Sequence, residues 1–335
     1  MTKNLNIWLP AVRAGSGADI YTIRLSQALN RRGANASITW FNHLYELAPF
    51  LIKKNIPKNT NLIIANSWNA FHFKHPSIPL ICVAHHCVFD KILAPYKSVG
   101  QRMYHNTLLH KYEKESLIKS DKIVAVSHYT ADSYRENFGT KDISVIHNWI
   151  DTNLFRPQPR KPSSKVTLAF TGNWSTRKGA DLLPEIMQSL GDRFLLLTTA
   201  GKRNGKLAAS LPTNIRSVGH LKSEVELVNF YNQSDILIYP SRLEGFGYSA
   251  LEAHACGKPV VATNGSALPE VISHNHSGVL CEKDDVQEFV AAISDLGRNH
   301  ELREEMGLNA RKIAKSVFSE DTILDSYLQL LNSLI

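Results

Sequence analysis

Residues 236–262 open with Ile236-Leu237-Ile238-Tyr239 and continue with Pro240-Ser241-Arg242-Leu243-Glu244-Gly245-Phe246-Gly247-Tyr248. A stretch bearing Leu251, Ala253, Ala255 and Cys256 follows, then Gly257-Lys258-Pro259 and Val260-Val261-Ala262. The first four residues read as a buried strand. Gly245 and Gly247 mark a turn where the main chain can approach a ligand closely. The apolar residues after them recur at helical spacing, and Gly-Lys-Pro stops the helix. A second apolar run then reads as another strand. Strand, turn, helix and strand in that order make a parallel crossover.

The same alternation extends in both directions. Strands are predicted at Val166–Phe170, Phe194–Thr198, Ile215–Val218 and Gly278–Leu280, each separated from the next by a helical stretch. Before them, 156–164 is rich in Pro and Ser and reads as a linker. Upstream of the linker the pattern repeats. Strands are predicted at Leu5–Leu9, Ala36–Trp40, Leu62–Ala65, Leu80–Ala84, Ile123–Val126 and Ser144–Ile146. Between the first two, Ile20, Ile23, Leu25, Ala28 and Leu29 lie on a helix that Arg31, Arg32 and Gly33 end. The expectation is an α/β chain with two doubly wound parallel-sheet domains, 1–157 and 158–319. A last helix in 320–335 could belong to either half. Ligands of such sheets sit beyond the C-terminal ends of the strands, so residues just after strands are the ones to inspect.

A chain of 335 residues with 43% apolar residues is long enough for two cores. Nothing approaches the roughly 18 apolar residues that a membrane-spanning helix needs. Asn4, Asn6, Pro10 and Arg13 interrupt any signal-peptide layout, so a cytoplasmic location is expected. Four Cys (82, 87, 256, 281) are too few for a disulfide scaffold and match no zinc spacing. The net charge of +8 is lopsided. Residues 1–157 hold 19 Lys and Arg against 10 Asp and Glu, and the remainder holds 19 against 20. A field of that kind attracts anionic partners. Lys91, Lys97, Arg102, Lys111, Lys114, Lys119 and Lys122 are interleaved with Tyr96, Tyr104 and Tyr112, which reads as a membrane-surface element. Phe50-Leu51-Ile52-Lys53-Lys54 is a second candidate. A nucleic-acid partner is disfavoured, because Glu244 and Glu252 would repel its phosphates.

The turn at 240–248 carries the chemistry. The helix after it offers unpaired N–H groups and a positive dipole end, suited to a phosphate or a sugar oxygen. Glu244 enters the turn, and Glu252 lies about two helical turns further on. Carboxylates accept hydrogen bonds from hydroxyls, so the pair can hold two polyol parts of one ligand. After the strand Val166–Phe170, the loop Thr171-Gly172-Asn173-Trp174-Ser175-Thr176-Arg177-Lys178-Gly179 offers two cations to a diphosphate. Gly15-Ser16-Gly17 invites a dinucleotide reading, but Ile20 stands where a third glycine belongs. His85 and His86 follow a strand and can hydrogen-bond a sugar hydroxyl or a backbone carbonyl. No D-x-D occurs, so no carboxylate-held metal on a diphosphate is expected, and no cofactor.

These residues resemble glycosyltransferase family four, retaining enzymes with the two-domain GT-B fold. Pro240-Ser241, Glu244-Gly245-Phe246-Gly247 and Glu252-Ala253 are similar to the family's E-x7-E signature. His147-Asn148-Trp149-Ile150-Asp151 through Phe155-Arg156-Pro157 resembles its PNG-ID…F-P segment, and Lys178-Gly179 its phosphate-loop K-G. Asn173 stands where the family usually has Arg, and Asp19 where Glu is frequent. The resemblance implies transfer of a sugar from a nucleotide-diphosphate donor to a glycan or lipid-linked acceptor, with anomeric configuration kept. It implies a catalytic set of Glu244, Lys178, Arg177 and His85. It implies donor binding by Glu252, Gly245, Phe246, Gly247, Gly172, Asn173 and Gly17. Asp19, His86 and Ser127 fall on the acceptor side. The expected setting is lipopolysaccharide, capsule or exopolysaccharide synthesis on the inner face of an anionic membrane.

Overall fold

The computed structural model describes residues 5–160, 163–200 and 211–334. The predicted linker 156–164 includes two positions, 161 and 162, outside the described residues. The chain divides into two compact units, 1–148 with 320–335, and 149–319.

The first unit holds a six-stranded sheet of β1 (Asn6–Val12), β2 (Asn35–Phe41), β3 (Leu62–Asn66), β4 (Leu80–Ala84), β5 (Lys122–Ala125) and β6 (Ser144–Val145). Their order is β2-β1-β3-β4-β5-β6, and every pairing is parallel. All five residues of β3 and of β4 are buried, as central strands covered on both faces must be. Trp8, Ile63, Leu80, Cys82 and Tyr134 form the middle of this core. The final helix, Glu320–Asn332, packs here: Arg31 and Arg32 pair with Glu320 and Asp321, and the Tyr21 and Tyr327 hydroxyls meet in the interior.

The second unit holds β7 (Val166–Phe170), β8 (Phe194–Thr198), β9 (Ile215–Ser217), β10 (Ile236–Tyr239), β11 (Val260–Thr263) and β12 (Gly278–Cys281). The order is β12-β11-β10-β7-β8-β9, again wholly parallel. Strand order reverses between β7 and β10. At such a switch point the loops leaving the two strands run in opposite directions and open a crevice. Leu168, Phe170, Ile186, Leu196, Ile236 and Phe289 fill the core beneath it.

The expected boundary after Pro157 is corrected: the first unit ends at Asn148. Trp149–Pro157 is fastened to the second unit. Arg311 donates to Thr152 O at 2.7 Å and to Phe155 O at 2.6 Å, and Ile150 bridges Ser319. Gln158 and Arg160 of the predicted linker are likewise docked. Gln158 N donates to Asn232 Oδ1, and Arg160 pairs with Asp235 at 3.0 Å. Among the described residues, no helix is long and apolar enough to cross a membrane.

Candidate functional site

The site in the second unit is built from the loops after β7 and β10, one on each side of the switch point. The helix Tyr248–Ala255 begins at Gly247, whose φ of 103° only glycine adopts easily. A Cβ on Gly247 would also meet Leu268 at 2.9 Å. Gly179 closes the other loop with φ 67°, and a Cβ there would lie 2.0 Å from Pro240 O. The two loops therefore touch backbone to backbone, and glycine makes the contact possible.

That contact brings three sequence-predicted residues together. Lys178 Nζ donates to Glu244 Oε1 at 2.6 Å and to Tyr239 Oη at 3.3 Å. The ammonium also lies 5.3 Å from the centre of the Tyr239 ring. Arg177 Nη1 lies 3.9 Å from the same Glu244 oxygen and donates to Leu243 O at 2.8 Å. Ser241 Oγ donates to Glu244 Oε1 at 2.5 Å, and Glu244 N donates to Ser266 Oγ at 3.0 Å. Glu244 is buried, and burial alone would raise its pKa. The charges of Lys178 and Arg177, with bonds from Lys178 and Ser241, outweigh that and hold it below the usual carboxylate range. Glu244 is thus an anion at neutral pH.

Gly172 joins this group. Its φ of 123° lets the loop pass over the Lys178 stem, which a Cβ would meet at 3.7 Å. Asn173 is exposed beside it. Glu252, buried on the helix, accepts from Tyr231 Oη at 2.9 Å. Tyr231 Oη in turn lies 3.3 Å from Thr171 Oγ1, the first residue after β7. Tyr231 thereby links the second carboxylate to the cation loop. Phe246 is buried and packs edge-on against Phe318 at 5.7 Å, so its side chain belongs to the core while Gly245 beside it is partly exposed.

The first unit gathers a second group at the ends of β3 and β4. His85 Nε2 lies 2.8 Å from Asn66 Oδ1, with the Tyr21 ring edge-on at 4.7 Å and Trp68 at 6.3 Å. Desolvation, with His86 beside it, holds the His85 pKa well below the ordinary imidazole range, so the ring is neutral. With Asn66 accepting, Nε2 carries the proton and Nδ1 is left as an acceptor. His86 is exposed. Gly17 is exposed as the first residue of the helix Gly17–Arg31.

Two residues expected on the acceptor side make local contacts instead of facing open space. Ser127 is fully buried and caps the helix His128–Phe138, accepting from Thr130 N at 3.0 Å. A fully buried cap cannot face an acceptor. The Asp19 carboxylate turns back on its own loop and accepts from Ala14 N at 3.2 Å and Gly15 N at 2.9 Å. It braces the glycine turn. Two of the three tyrosines interleaved with the basic stretch also turn inward. Tyr104 Oη donates to Glu46 O at 2.8 Å, and Tyr112 is buried.

Four residues that shape these groups were missed from sequence: Asn66, Tyr231, Tyr239 and Arg242. Asn66 is the last residue of β3, one beyond the predicted strand end. Strand-end position is the only sequence signal it carried.

The profile described as "Glycosyl transferases group 1" matches residues 151–313, and that described as "Glycosyltransferase Family 4" matches 41–154. An uncharacterized glycosyltransferase of Methanocaldococcus jannaschii is 30% identical over 63% of this chain and 59% of its own length. The chain spans little more than half the length of the curated relatives it matches. Sucrose-phosphate synthase from Thermosynechococcus elongatus superposes with a TM-score of 0.80 over 98% of this chain and 99% of that one, at 18% identity. HepE of Anabaena in complex with UDP and glucose superposes with a TM-score of 0.73 over 98% and 100%, also at 18% identity. The two parallel sheets are therefore those of the GT-B fold, and the chain belongs to the group 1 glycosyltransferases of family four.

Proposed function

We propose that the chain moves a sugar from a nucleoside-diphosphate donor to a glycan or lipid-linked acceptor, keeping the anomeric configuration. The observation that carries this reading is the meeting of Lys178, Arg177 and Glu244 at the β7–β10 switch point. Cleaving the donor places negative charge on the departing diphosphate. Two cations held there in advance stabilise that charge without reorganising, and losing one such donor costs on the order of 10²–10³ in rate. Glu252, held by Tyr231, accepts from the ribose hydroxyls, and Glu244 faces the donor sugar. A phosphate oxygen takes the acceptor's proton, and neutral His85 accepts from a sugar hydroxyl through Nδ1. The charge balance falls to Lys178, Arg177 and main-chain N–H groups, with no metal or cofactor, so chelators should leave turnover unchanged.

UDP-sugars are the first donors to try, because the similar fold of HepE holds UDP and glucose. A nucleoside diphosphate at 100 times its dissociation constant should add about 2.7 kcal/mol of stability. Absence of any thermal shift with UDP, GDP, ADP, CDP and dTDP would overturn the reading.

The acceptor is proposed to be presented on an anionic membrane in bacterial lipopolysaccharide, capsule or exopolysaccharide synthesis, with the chain bound peripherally from the cytoplasmic side. Support comes from the first unit. The Tyr104 hydroxyl, bonded to Glu46 O, ties the helix Val99–Tyr104 to the segment around Leu47. Exposed Val99 and Met103 on one side, and exposed Leu44, Leu47, Phe50 and Leu51 on the other, belong to these joined segments. Lys53, Lys54 and Arg102 stand among them, also exposed. Apolar residues beside exposed cations suit an anionic bilayer. Sedimentation with phosphatidylglycerol vesicles, and none with phosphatidylcholine vesicles, is expected. Equal binding to both, or to neither, removes the membrane.

A further inference from the structure

Arg242 lies in the turn between β10 and Glu244, a place where an arginine ordinarily waves in solvent. Here its side chain is only 6% exposed. Nη1 and Nη2 hold Asp181 in a fork at 2.7 and 2.9 Å, and Nε donates to Asp284 Oδ1 at 2.5 Å. Nη1 also donates to Thr176 O, and the Arg242 backbone N–H donates to Arg177 O at 2.9 Å. One residue thus grips both ends of the cation loop, before Arg177 and after Lys178.

Backbone strain marks the same place. Among the described residues, four non-glycine residues have positive φ: Asn59, Ser266, Asn275 and Asp284. Two of them bond this turn. Asp284, at φ 67°, holds Arg242, and Ser266, at φ 50°, accepts from Glu244 N. Left-handed conformations cost free energy and persist where surrounding contacts over-determine them.

The geometry points to Arg242 as a positioning residue: locked by Asp181 and Asp284, it sets the height of Lys178 and Arg177 against Glu244 and touches no substrate itself. The two carboxylates more than offset its single charge, so it does not draw the diphosphate away from Lys178. This inference rests on the donor reading above, and it assigns a role to three residues outside the donor set.

The test compares UDP binding by calorimetry in wild type, Arg242→Lys and Asp284→Gly. Lysine keeps the charge and loses the fork. Glycine removes the carboxylate and relieves the positive φ, so Asp284→Gly should melt no lower than a purely structural loss predicts, and still bind more weakly. About tenfold weaker binding is expected for Arg242→Lys, because small displacements of a positioned group are costly. In a Lys178→Met background the Arg242→Lys change should cost clearly less than in wild type, since part of its effect runs through Lys178 and the rest through Arg177. Wild-type affinity in both variants, or an undiminished loss in the Lys178→Met background, overturns the assignment. If wild type binds no nucleoside diphosphate, the donor reading fails on its own, and amide exchange of residues 176–181 decides the positioning role. Faster exchange in Arg242→Lys upholds it, and unchanged exchange overturns it.

Discussion

Lys178 Nζ sits 2.6 Å from Glu244 Oε1, with only 13% and 11% of the two side chains exposed. Each neutralises the other where water gives little help. Removing one partner of a buried pair typically costs about 3–5 kcal/mol, because the other charge is stranded. Lys178→Met should therefore lower stability and abolish sugar transfer together. The double variant Lys178→Met/Glu244→Gln should regain much of the stability and none of the activity. Urea unfolding and donor turnover on the four members of this cycle separate the two effects. An active double variant would show that the pair is structural only.

Tyr231 supports Glu252 from beneath the helix and reaches Thr171 on the other side. Tyr231→Phe keeps the ring in the core and deletes one charge-assisted donor, a bond worth roughly 1.5–3 kcal/mol. Glu252 should then hold the donor ribose less firmly. KM for the nucleotide sugar should rise several-fold with kcat little changed, the pattern of lost uniform binding. Steady-state kinetics over a donor series reads this directly. A fall in kcat at constant KM would move Tyr231 into the chemical step.

The architecture was legible because a parallel sheet covered on both faces writes itself as short continuous apolar runs. β4, β7, β8 and β10 match their predicted spans, and the other strands differ by a few residues at their ends. Lys178, Glu244 and Glu252 were legible because each lies in or just after a glycine-marked turn beyond a strand. Their supports were not. Tyr231 lies in the helix Glu224–Asn232, where an aromatic reads as core, and it is also core. Arg242 carried no reading of its own, since nothing local reveals that Asp181 and Asp284 come to meet it. Ser127 and Asp19 show the opposite case. Ser127 follows β5 and Asp19 lies in the first turn of the helix Gly17–Arg31, and nearby backbone N–H groups claim both. Local hydrogen bonding by Ser and Asp competes with any ligand role, and only coordinates show which wins.

Gly179 and Gly139 have nearly the same φ, 67° and 69°, yet different surroundings. A Cβ on Gly139 meets nothing within 4 Å, whereas one on Gly179 would lie 2.0 Å from Pro240 O. Gly139→Ala should cost about 1 kcal/mol, the backbone penalty alone. Gly179→Ala should cost clearly more, because two loop backbones must separate, and it should abolish transfer by parting Lys178 from Glu244. Thermal melts and turnover of the two variants, measured side by side, check this. Equal destabilisation would mean that the loops do not rely on their close approach.

Glu113 is buried in the first core, 2% exposed, with Ser67 Oγ 3.3 Å from Oε1 and the Tyr134 hydroxyl 2.8 Å from Ser67. Burial pushes its pKa up to about 8, and the two hydroxyls offset only part of that. The folded chain therefore keeps this proton at pH 7, while the unfolded chain, titrating near 4.5, has lost it. The folded state binds more protons between those values, so the Glu113 contribution to stability is fullest below pH 4.5 and is lost as pH rises toward 8. The slope is at most about 1.4 kcal/mol per pH unit. Buried His254, pushed down to about 4, acts with the opposite sign, but only below pH 6.5. Between pH 6.5 and 8 the Glu113 contribution should stand clear of it. Glu113→Gln keeps a neutral polar group of similar shape, so its urea midpoint should lose that decline and exceed wild type at pH 8. Parallel pH profiles for the two proteins would place a charged carboxylate in this core.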